Sequence, residues 1–389
     1  MRSFFSSLRR IFGRLNFPLL LLSGILFAAP LPLHPQPQKP SANFDSLAKQ
    51  AAEARDSDQL DHAAALYKQA LALRPQWAEG WWSLGTLEYD RNNYAAAARA
   101  FQRLLVLAPK NGTAHAMLGL CEFELGQDDN ALKHIDEAQA LGVTNDTQLR
   151  RVVVYHQGLL LLRKDKFEGV RDSLGQLCAQ ALQDNSITQA MGMAALRIGG
   201  KNPPPENSPG ATVVQRVGHA ACTAAAKKYD EARPEFAALV AEFPDYPNIH
   251  FAYGRFLAEV NDVPAAVEQF KLEIKNNPAD ITSRLQIAAT LYKVDSAAAL
   301  PYAQEAVKLD PHSAFAYYLL GLLLLDTDDY QKAIPDLEIA AKAFPHDAKV
   351  FFALGSAYSR AGRKEEAARA RATFQRLNQQ SSEEAKPAN

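Results

Sequence analysis

The sequence predicts an all-α protein in which paired helices repeat along the chain and stack into a solenoid. Two observations carry this prediction. Prolines and glycines return at an interval of about 34 residues. Within each interval a small residue is followed by a large apolar residue after four positions and by a proline eight positions later, as in "YAAAARAFQRLLVLAP" (94–109). Such a period accommodates one helix–turn–helix unit, so the pattern indicates a repeat array.

The interval is visible in two residue types. Pro75 and Pro109 are separated by one interval, and Gly85 and Gly119 have the same spacing. Later prolines keep the interval to within one residue, at Pro244, Pro278, Pro311 and Pro345. Later glycines do the same, at Gly254, at Gly321 two intervals on, and at Gly355.

Each small residue is expected where the two helices of one unit cross. A small side chain there lets the backbones approach closely, and the large residues around it interlock. The proline ends the second helix because it has no N–H and clashes with the preceding turn. One hairpin cannot bury its own apolar faces, so its stability comes from stacking on neighbouring hairpins.

The pattern resembles the tetratricopeptide repeat family, which has large residues at positions 4, 7, 11 and 24, small ones at 8, 20 and 27, and proline at 32. Residues 78–111 match with Trp81, Leu84, Gly85, Ala97, Phe101 and Pro109. Glu88 and Glu273 depart from the pattern, and each is expected to cost a packing contact. The resemblance implies a right-handed superhelical solenoid of nine hairpins, at 44–77, 78–111, 112–145, 151–184 (degenerate), 213–246, 247–280, 281–313, 314–347 and 348–381.

The repeats divide the chain into segments. We expect a signal peptide or membrane anchor, a Pro-rich linker, a first repeat block, an extra helix with a Pro/Gly-rich loop, a second block of five repeats and a polar tail. Their boundaries are 1–34, 35–43, 44–184, 185–212, 213–381 and 382–389. The stretch "GGKNPPPENSPG" cannot be helical. It either separates two half-solenoids or interrupts one continuous superhelix.

The N-terminus has the three parts of an export signal. The residues before Pro18 carry five positive groups, counting the α-amine, and no acidic one. A short apolar run over 19–29, ending in small residues, comes next. It is short for a membrane span, which needs about 20 residues. We therefore expect a periplasmic or secreted protein, with a retained membrane anchor through residues 17–33 as the alternative to cleavage.

Composition narrows the function. Hydrophobic residues make up 48% of the chain and charged residues 22%, which is typical of a folded soluble protein. The formal net charge is −1, and the basic residues are scattered. A nucleic-acid binder needs a clustered basic surface. No nucleic-acid partner is therefore expected, and a reader of the pentatricopeptide type is disfavoured because its period is one residue longer and its inner face is basic.

No catalytic constellation is recognisable in the sequence. It has no motif of zinc proteases, serine hydrolases, P-loop enzymes or dinucleotide-binding folds. His134 and Glu137 lie one helical turn apart, but no third metal ligand accompanies them. Cys121, Cys178 and Cys222 are far apart, and we expect small buried residues, with a Cys178–Cys222 disulfide as the alternative. We predict no enzyme activity, no cofactor and no metal.

The candidate site is the inner groove of the solenoid. In the tetratricopeptide repeat family, side chains of the first helix at positions 2, 5, 9, 12 and 13 line this groove. Positions 5 and 12 are rich in aromatic residues here, and the lysine and asparagine that clamp chaperone tails are absent from positions 5 and 9. The predicted groove residues are Trp82, Tyr89, Phe123, Tyr155, Phe251, Arg255, Tyr292, Tyr318 and Phe352. They either pack against one another or accept an apolar or amphipathic segment of another protein.

These observations predict a non-enzymatic scaffold that binds segments of partner proteins in envelope assembly or trafficking. The alternative is an accessory subunit of an envelope enzyme, such as a peptidase or a glycosyltransferase. The fold by itself does not decide between the two.

Overall fold

The computed structural model describes residues 41–143, 147–180 and 184–384, and these residues form helices and turns without any strand. The predicted all-α fold is therefore confirmed. The predicted signal peptide or anchor, with its linker as far as residue 40, lies outside the described residues, as do residues 385–389 of the tail. Among the helices that are described, none has the length and apolar character needed to cross a membrane.

The chain divides into two compact units. The first takes in the described residues up to Ala194 together with Ile198–Pro203. The second takes in Ala195–Arg197 and the described residues from Pro204 onward. The division falls within the segment 185–212, between the two blocks of repeats.

The first unit contains four helical hairpins and one further helix, which ends at the division. The hairpins lie close to the predicted repeats, although the first helix begins at Ser41, within the predicted linker, and the degenerate copy forms a hairpin that begins at Thr147. The helices are α1 (Ser41–Asp56), α2 (Leu60–Leu73), α3 (Ala78–Asp90), α4 (Tyr94–Leu107), α5 (Gly112–Glu124), α6 (Asp128–Leu141), α7 (Thr147–Arg163), α8 (Phe167–Ala179) and α9 (Asn185–Ala195).

The second unit contains five hairpins close to the predicted repeats. Its first helix begins at Pro209, so Pro209 and Gly210 are helical although the sequence predicts that the stretch 199–210 is not; proline is tolerated there because the first N–H of a helix has no partner within the helix. Its last helix is the longest and is strongly polar. The helices are α10 (Pro209–Ala225), α11 (Tyr229–Glu242), α12 (Ile249–Glu259), α13 (Val263–Asn276), α14 (Ile281–Leu291), α15 (Ser296–Leu309), α16 (Ala314–Asp326), α17 (Tyr330–Ala343), α18 (Ala348–Arg360) and α19 (Lys364–Glu384).

Packing is local in both units. The two helices of each hairpin pack on each other, consecutive hairpins within a unit also pack on one another, and the first helices of consecutive hairpins touch, as α3 and α5 do. The small residues of the repeat lie at these contacts, where Ala97 and Ala266 are fully buried. The large residues four positions later, Phe101 and Phe270, are fully buried as well. The expected role of small residues in close helix packing is thus confirmed.

The glycine at repeat position 8 gives a direct test of this packing. A Cβ atom on Gly254 would lie 2.7 Å from the ring of Phe270. We expect Gly254→Ala to lower the free energy of unfolding by about 1–3 kcal/mol through overpacking. Gly355→Ala is the matched control, because its Cβ would meet Arg371 Cγ at 3.4 Å, which leaves room. The control should be neutral or stabilising by up to about 1 kcal/mol, since alanine favours helix. Urea unfolding measures both, and equal losses would contradict the packing.

The turn between the two helices of every hairpin contains one residue with left-handed backbone geometry. Most of these residues are Asn, Asp or Gly, which adopt this region at the least cost. Their φ angles lie between 56° and 78°, at Asp58, Asn92, Gly126, Asp165, Lys227, Asn261, Lys293, Asp328 and Gly362. The turn is therefore a second periodic feature of the repeat, in addition to the small residues and the prolines.

Candidate partner-binding faces

The predicted groove residues lie on, or directly after, the first helices of their hairpins. Trp82 and Tyr89 are on α3, Phe123 is on α5 and Tyr155 is on α7. In the second unit the predicted residues are Phe251 and Arg255 on α12, Tyr292 after α14, Tyr318 on α16 and Phe352 on α18. Two of the nine are buried, one is exposed and the others are half-buried.

On α3 only one of the two predicted side chains has appreciable surface. Tyr89 is 6% exposed, and its ring lies edge-on to that of Tyr94 at a centroid distance of 5.4 Å. Burial raises the pKa of the Tyr89 hydroxyl far above its usual value. Trp82 is half-buried, with its ring 5.7 Å from that of Phe101. Tyr89 thus belongs to the hydrophobic core, and Trp82 packs against the edge of that core.

Phe123 is held by two neighbours from α7. The His156 ring meets it edge-on at 4.6 Å, and the Arg163 guanidinium lies 4.2 Å from its centroid. His156 is buried and donates from Nδ1 to the Val152 carbonyl oxygen at 2.7 Å. Burial lowers the pKa of His156 to about 4, so its imidazole is neutral at pH 7. Tyr155 is half-buried beside the same imidazole, at 5.4 Å.

The predicted residues of α12 are engaged within the second unit. Phe251 is 3% exposed and packs against Phe270 at a ring distance of 5.9 Å. The Arg197 guanidinium lies 5.5 Å from the centroid of Phe251. Arg255 is half-buried and donates to Gln286 Oε1 at 3.1 Å. Phe251 therefore serves the core of α12 and α13.

Exposed aromatic surface is concentrated on later hairpins of the second unit. Phe315 is 49% exposed and Phe352 is 59% exposed. Phe315 lies 6.5 Å from the half-buried Tyr318 on the same helix, and Phe352 lies 5.4 Å from Phe374. Burial raises the pKa of Tyr318, so its hydroxyl is neutral at pH 7. We call Tyr292, Phe315, Tyr318 and Phe352 the C-terminal aromatic face.

Phe315 is absent from the predicted set, although the sequence contains a signal for it. It occupies repeat position 2, one helical turn before Tyr318 at position 5. Residues three apart on a helix lie on the same side. Reading position 2 as well as positions 5 and 12 would therefore have included it.

The two glutamates that interrupt the repeat do not simply lose contacts, contrary to the sequence expectation. Glu88 is completely buried and accepts from Lys68 Nζ at 2.7 Å, Arg91 Nη1 at 2.9 Å and Asn93 Nδ2 at 3.1 Å. A buried carboxylate is tolerated when cations and donors surround it. Glu88 thereby connects Lys68 on α2 with Arg91 and Asn93 in the turn between α3 and α4.

Glu273 replaces a missing helix cap. The N-cap residue of α12, Asn248, has a left-handed backbone and makes no capping bond with its side chain. The Glu273 carboxylate accepts instead from the backbone N–H groups of Asn248 at 2.9 Å and Phe251 at 3.2 Å. Carboxylates are favoured at a helix N-terminus because free N–H groups and the positive end of the helix dipole meet there.

The described residues contain no group of three or more His, Cys, Asp and Glu side chains that could hold a metal ion. His134 contacts His115 on α5, with the Nδ1 atoms 3.0 Å apart. An open cleft of about 960 Å³ in the first unit is lined largely by charged side chains, among them Lys133, Asp136 and Arg163. Such a lining suits solvent better than an apolar segment.

The sequence profile of the Tetratricopeptide repeat matches five stretches, at residues 48–111, 83–145, 224–281, 291–337 and 318–380. Together they cover more than half of the chain. The chain belongs to the tetratricopeptide repeat family. The degenerate hairpin α7–α8 of this tetratricopeptide repeat protein lies outside the matched stretches, yet it forms all the same.

Other tetratricopeptide repeat proteins are similar to this one at low identity. The Protein CTR9 homolog of Arabidopsis thaliana is 22% identical over 296 residues, which is 69% of this chain and 26% of that protein. The chain thus spans about a quarter of this relative's length. MamA of Desulfovibrio magneticus RS-1 is 22% identical, with 45% of this chain and 97% of that chain covered and a TM-score of 0.40. Yeast Tom70 is 12% identical, with coverages of 87% and 85% and a TM-score of 0.35.

Proposed function

We propose that this protein is a non-enzymatic scaffold that binds an apolar or amphipathic segment of another protein on its C-terminal aromatic face. Tetratricopeptide repeats are a protein–protein interaction fold, and the exposure of Phe315 and Phe352 is the observation that carries the finer proposal. Large apolar side chains that stand in water on one face favour a partner that covers them. Helix-in-groove docking is a suitable mode because consecutive first helices offer parallel rows of side chains.

The half-buried members of the face support this assignment. Tyr292 and Tyr318 pack against the same hydrophobic cluster of the second unit, so their rings are held by the core. Rigid aromatic side chains lose little conformational entropy on binding and dominate interface energies. Lys293 Nζ lies 5.0 Å from the Tyr292 ring centroid and is also paired with Asp326, so the nearest cation is neutralised within the repeat. The face is therefore suited to an uncharged, apolar occupant.

The double variant Phe315→Ala/Phe352→Ala tests the proposal. We expect it to lose more than about tenfold in affinity for its partner, since two anchors of this kind contribute more than about 1.4 kcal/mol together. Val106→Ser/Leu309→Ser is the matched control, because it removes exposed apolar surface from the second helices α4 and α15. Crosslinking and affinity purification from envelope extracts compare both with the wild type. Equal recovery of partners by the aromatic variant and the wild type would contradict the proposal.

We propose further that the scaffold acts after export, in envelope assembly or trafficking. The support is the charge and hydropathy pattern of the segment 1–34. A fusion of residues 1–43 to a reporter that is active only outside the cytoplasm tests export, with the four arginines before Pro18 changed to serine as the control. An inactive reporter would contradict the proposal, and activity that persists without the arginines would show that their charge is not part of the signal. Co-purification of an enzyme activity would favour the accessory-subunit alternative.

A further inference from the structure

Two histidines from the helices of the third hairpin, α5 and α6, share one hydrogen bond. The Nδ1 atoms of His115 and His134 are 3.0 Å apart, and the rings are stacked with centroids 5.2 Å apart. His115 Nε2 lies 3.0 Å from the carbonyl oxygen of Pro109. A carbonyl only accepts, so this Nε2 carries the hydrogen and Nδ1 of a neutral His115 is bare. His134 must then donate from its own Nδ1, which leaves its Nε2 without a hydrogen.

A buried carboxyl group lies beside that bare nitrogen. Glu122 Oε1 is 3.8 Å from His134 Nε2, and Glu122 Oε2 is buried without a hydrogen-bond partner. Burial raises the pKa of Glu122 to about 7, against the opposing influence of Lys133. Burial also lowers the pKa of His134, assisted by His115 and Lys133, while Glu137 acts in the opposite direction. These are the charged groups of α5 and α6 that act on the cluster.

Glu88 and Glu122 differ in the hydrogen-bond donors that surround their carboxyl groups. Both occupy repeat position 11, and they are one repeat apart. The donors around Glu88 are Lys68, Arg91 and Asn93; the residues at the corresponding positions around Glu122 are Gln102, Leu125 and Gln127. The two cations that hold the Glu88 carboxylate therefore have no charged counterpart in the third hairpin.

We propose that His115, His134 and Glu122 form a proton-responsive latch between α5 and α6, in which the hydrogen bond between the two imidazoles beside the buried carboxyl group depends on how many protons the three side chains hold. In its neutral form His134 donates from Nδ1 to His115, His115 donates from Nε2 to the Pro109 carbonyl oxygen, and Glu122 Oε1 lies 3.8 Å from the bare Nε2 of His134. The first added proton can bind His134 Nε2 and leaves the hydrogen bond between the rings intact. A second added proton would bind His115 Nδ1, so that both facing Nδ1 atoms carry hydrogen and their hydrogen bond breaks. No group of three side chains among the described residues is placed to hold a metal ion, which favours protons here. This inference goes beyond the proposed partner binding.

The latch has two opposing effects on stability. His134 has a lowered pKa in the folded state, so its contribution is present above its ordinary value of 6.5 and is lost as the pH falls. Glu122 has a raised pKa, so its contribution is present below 4.5 and is lost as the pH rises through about 7. Between these values the two effects oppose each other in the wild type. Removing one of the two groups should therefore reveal the pH dependence of stability that the other group causes.

Single variants of the full chain separate the two effects. Relative to the wild type, Glu122→Gln should lose stability on acidification from pH 7.5 to 5, by up to about tenfold per pH unit in the folding equilibrium constant. His134→Gln should gain relative stability below about pH 6.5. Glu88→Gln is the matched control, because it removes a buried carboxyl group at the same repeat position. Denaturant unfolding at a series of pH values measures all three. The same pH-dependent change in both glutamate variants would overturn the proposal.

A second measurement on the wild type does not depend on variants that fold. In protein labelled with ¹⁵N and ¹³C at histidine, nuclear magnetic resonance reports the tautomer and titration of each ring. At pH 7 we expect one ring with its hydrogen on Nε2 and its hydrogen-bonded neighbour with its hydrogen on Nδ1. The neighbour should titrate below 6.5. Two charged rings at pH 7, or stoichiometric Zn²⁺ binding that shifts both rings, would overturn the assignment.

Discussion

Replacing Phe270 with alanine is expected to lower the free energy of unfolding by about 3–5 kcal/mol. Its ring is fully buried between α12 and α13, 5.9 Å from the ring of Phe251 and directly against the backbone at Gly254. Because Gly254 has no side chain, nothing on that side can move in to fill the space. The cavity would therefore persist, and its cost adds to the lost burial of the ring.

Urea unfolding of the Phe270→Ala variant checks this expectation. Val106→Ala is the matched control, because Val106 is exposed on α4 and its replacement should change the free energy by less than about 0.5 kcal/mol. Phe270→Leu should fall between the two, since it retains part of the apolar volume. A loss from Phe270→Ala as small as the control's would mean that α12 and α13 do not pack through this ring.

Replacing Glu273 with leucine is expected to lower the free energy of unfolding by about 2–5 kcal/mol. The change leaves the N–H groups of Asn248 and Phe251 without an acceptor at the start of α12, and each buried unpaired group costs about 1–3 kcal/mol. The Asn248 side chain does not cap this helix: its backbone is left-handed, its oxygen accepts no capping bond, and its Nδ2 donates to the Leu196 carbonyl oxygen at 3.0 Å.

Glu273→Gln separates the capping role from the packing role. Glutamine has nearly the same shape and retains one acceptor oxygen, so it should cost clearly less than leucine. Glu268→Gln on the same helix is the surface control, since Glu268 is exposed. Hydrogen exchange of the first amides of α12 locates the effect, which should be faster exchange there in Glu273→Leu. Unchanged exchange at α12 would show that the carboxylate does not cap this helix.

Much of the fold could be predicted because the repeat encodes it locally. A small residue such as Ala97, a large one such as Phe101 and a proline such as Pro109 define one hairpin, and neighbouring hairpins supply the rest of the burial. Even α7–α8, which lacks the closing proline, follows the same arrangement. The left-handed turn residues repeat at the same interval, as Asn92 and Gly126 do, and would have placed the hairpin turns more closely.

The surface of the candidate site was harder to predict. Repeat position gives the side of a helix, but exposure depends on what the neighbouring elements place over it. Arg197, which lies outside the repeats, approaches Phe251, and Tyr94 packs on Tyr89. The sequence cannot reveal such partners from periodicity alone. Partner binding by the predicted groove residues stays a prediction. The variants of the C-terminal aromatic face test it for the second unit.

The buried glutamates illustrate the same point for charge. Glu88 and Glu122 share a repeat position, but the side chains that surround them come from different places in the chain and differ between the two hairpins. One carboxylate is held by cations and the other lies beside an imidazole pair. A periodic reading assigns both the same role, whereas their chemistry depends on the non-periodic residues around them.

The local contacts between neighbouring helices also bear on how such a chain changes over evolutionary time. Deleting residues 314–347 would bring α18 to the place that α16 occupies against α15, with the remaining pairs intact. Deleting only one helix of a hairpin would instead place the second helix of a hairpin where a first helix is needed. The row of side chains formed by consecutive first helices would then be interrupted at that point. If partner binding is as proposed, gain or loss of whole hairpins would adjust the length of the binding face, while point substitutions on the first helices would adjust its chemistry.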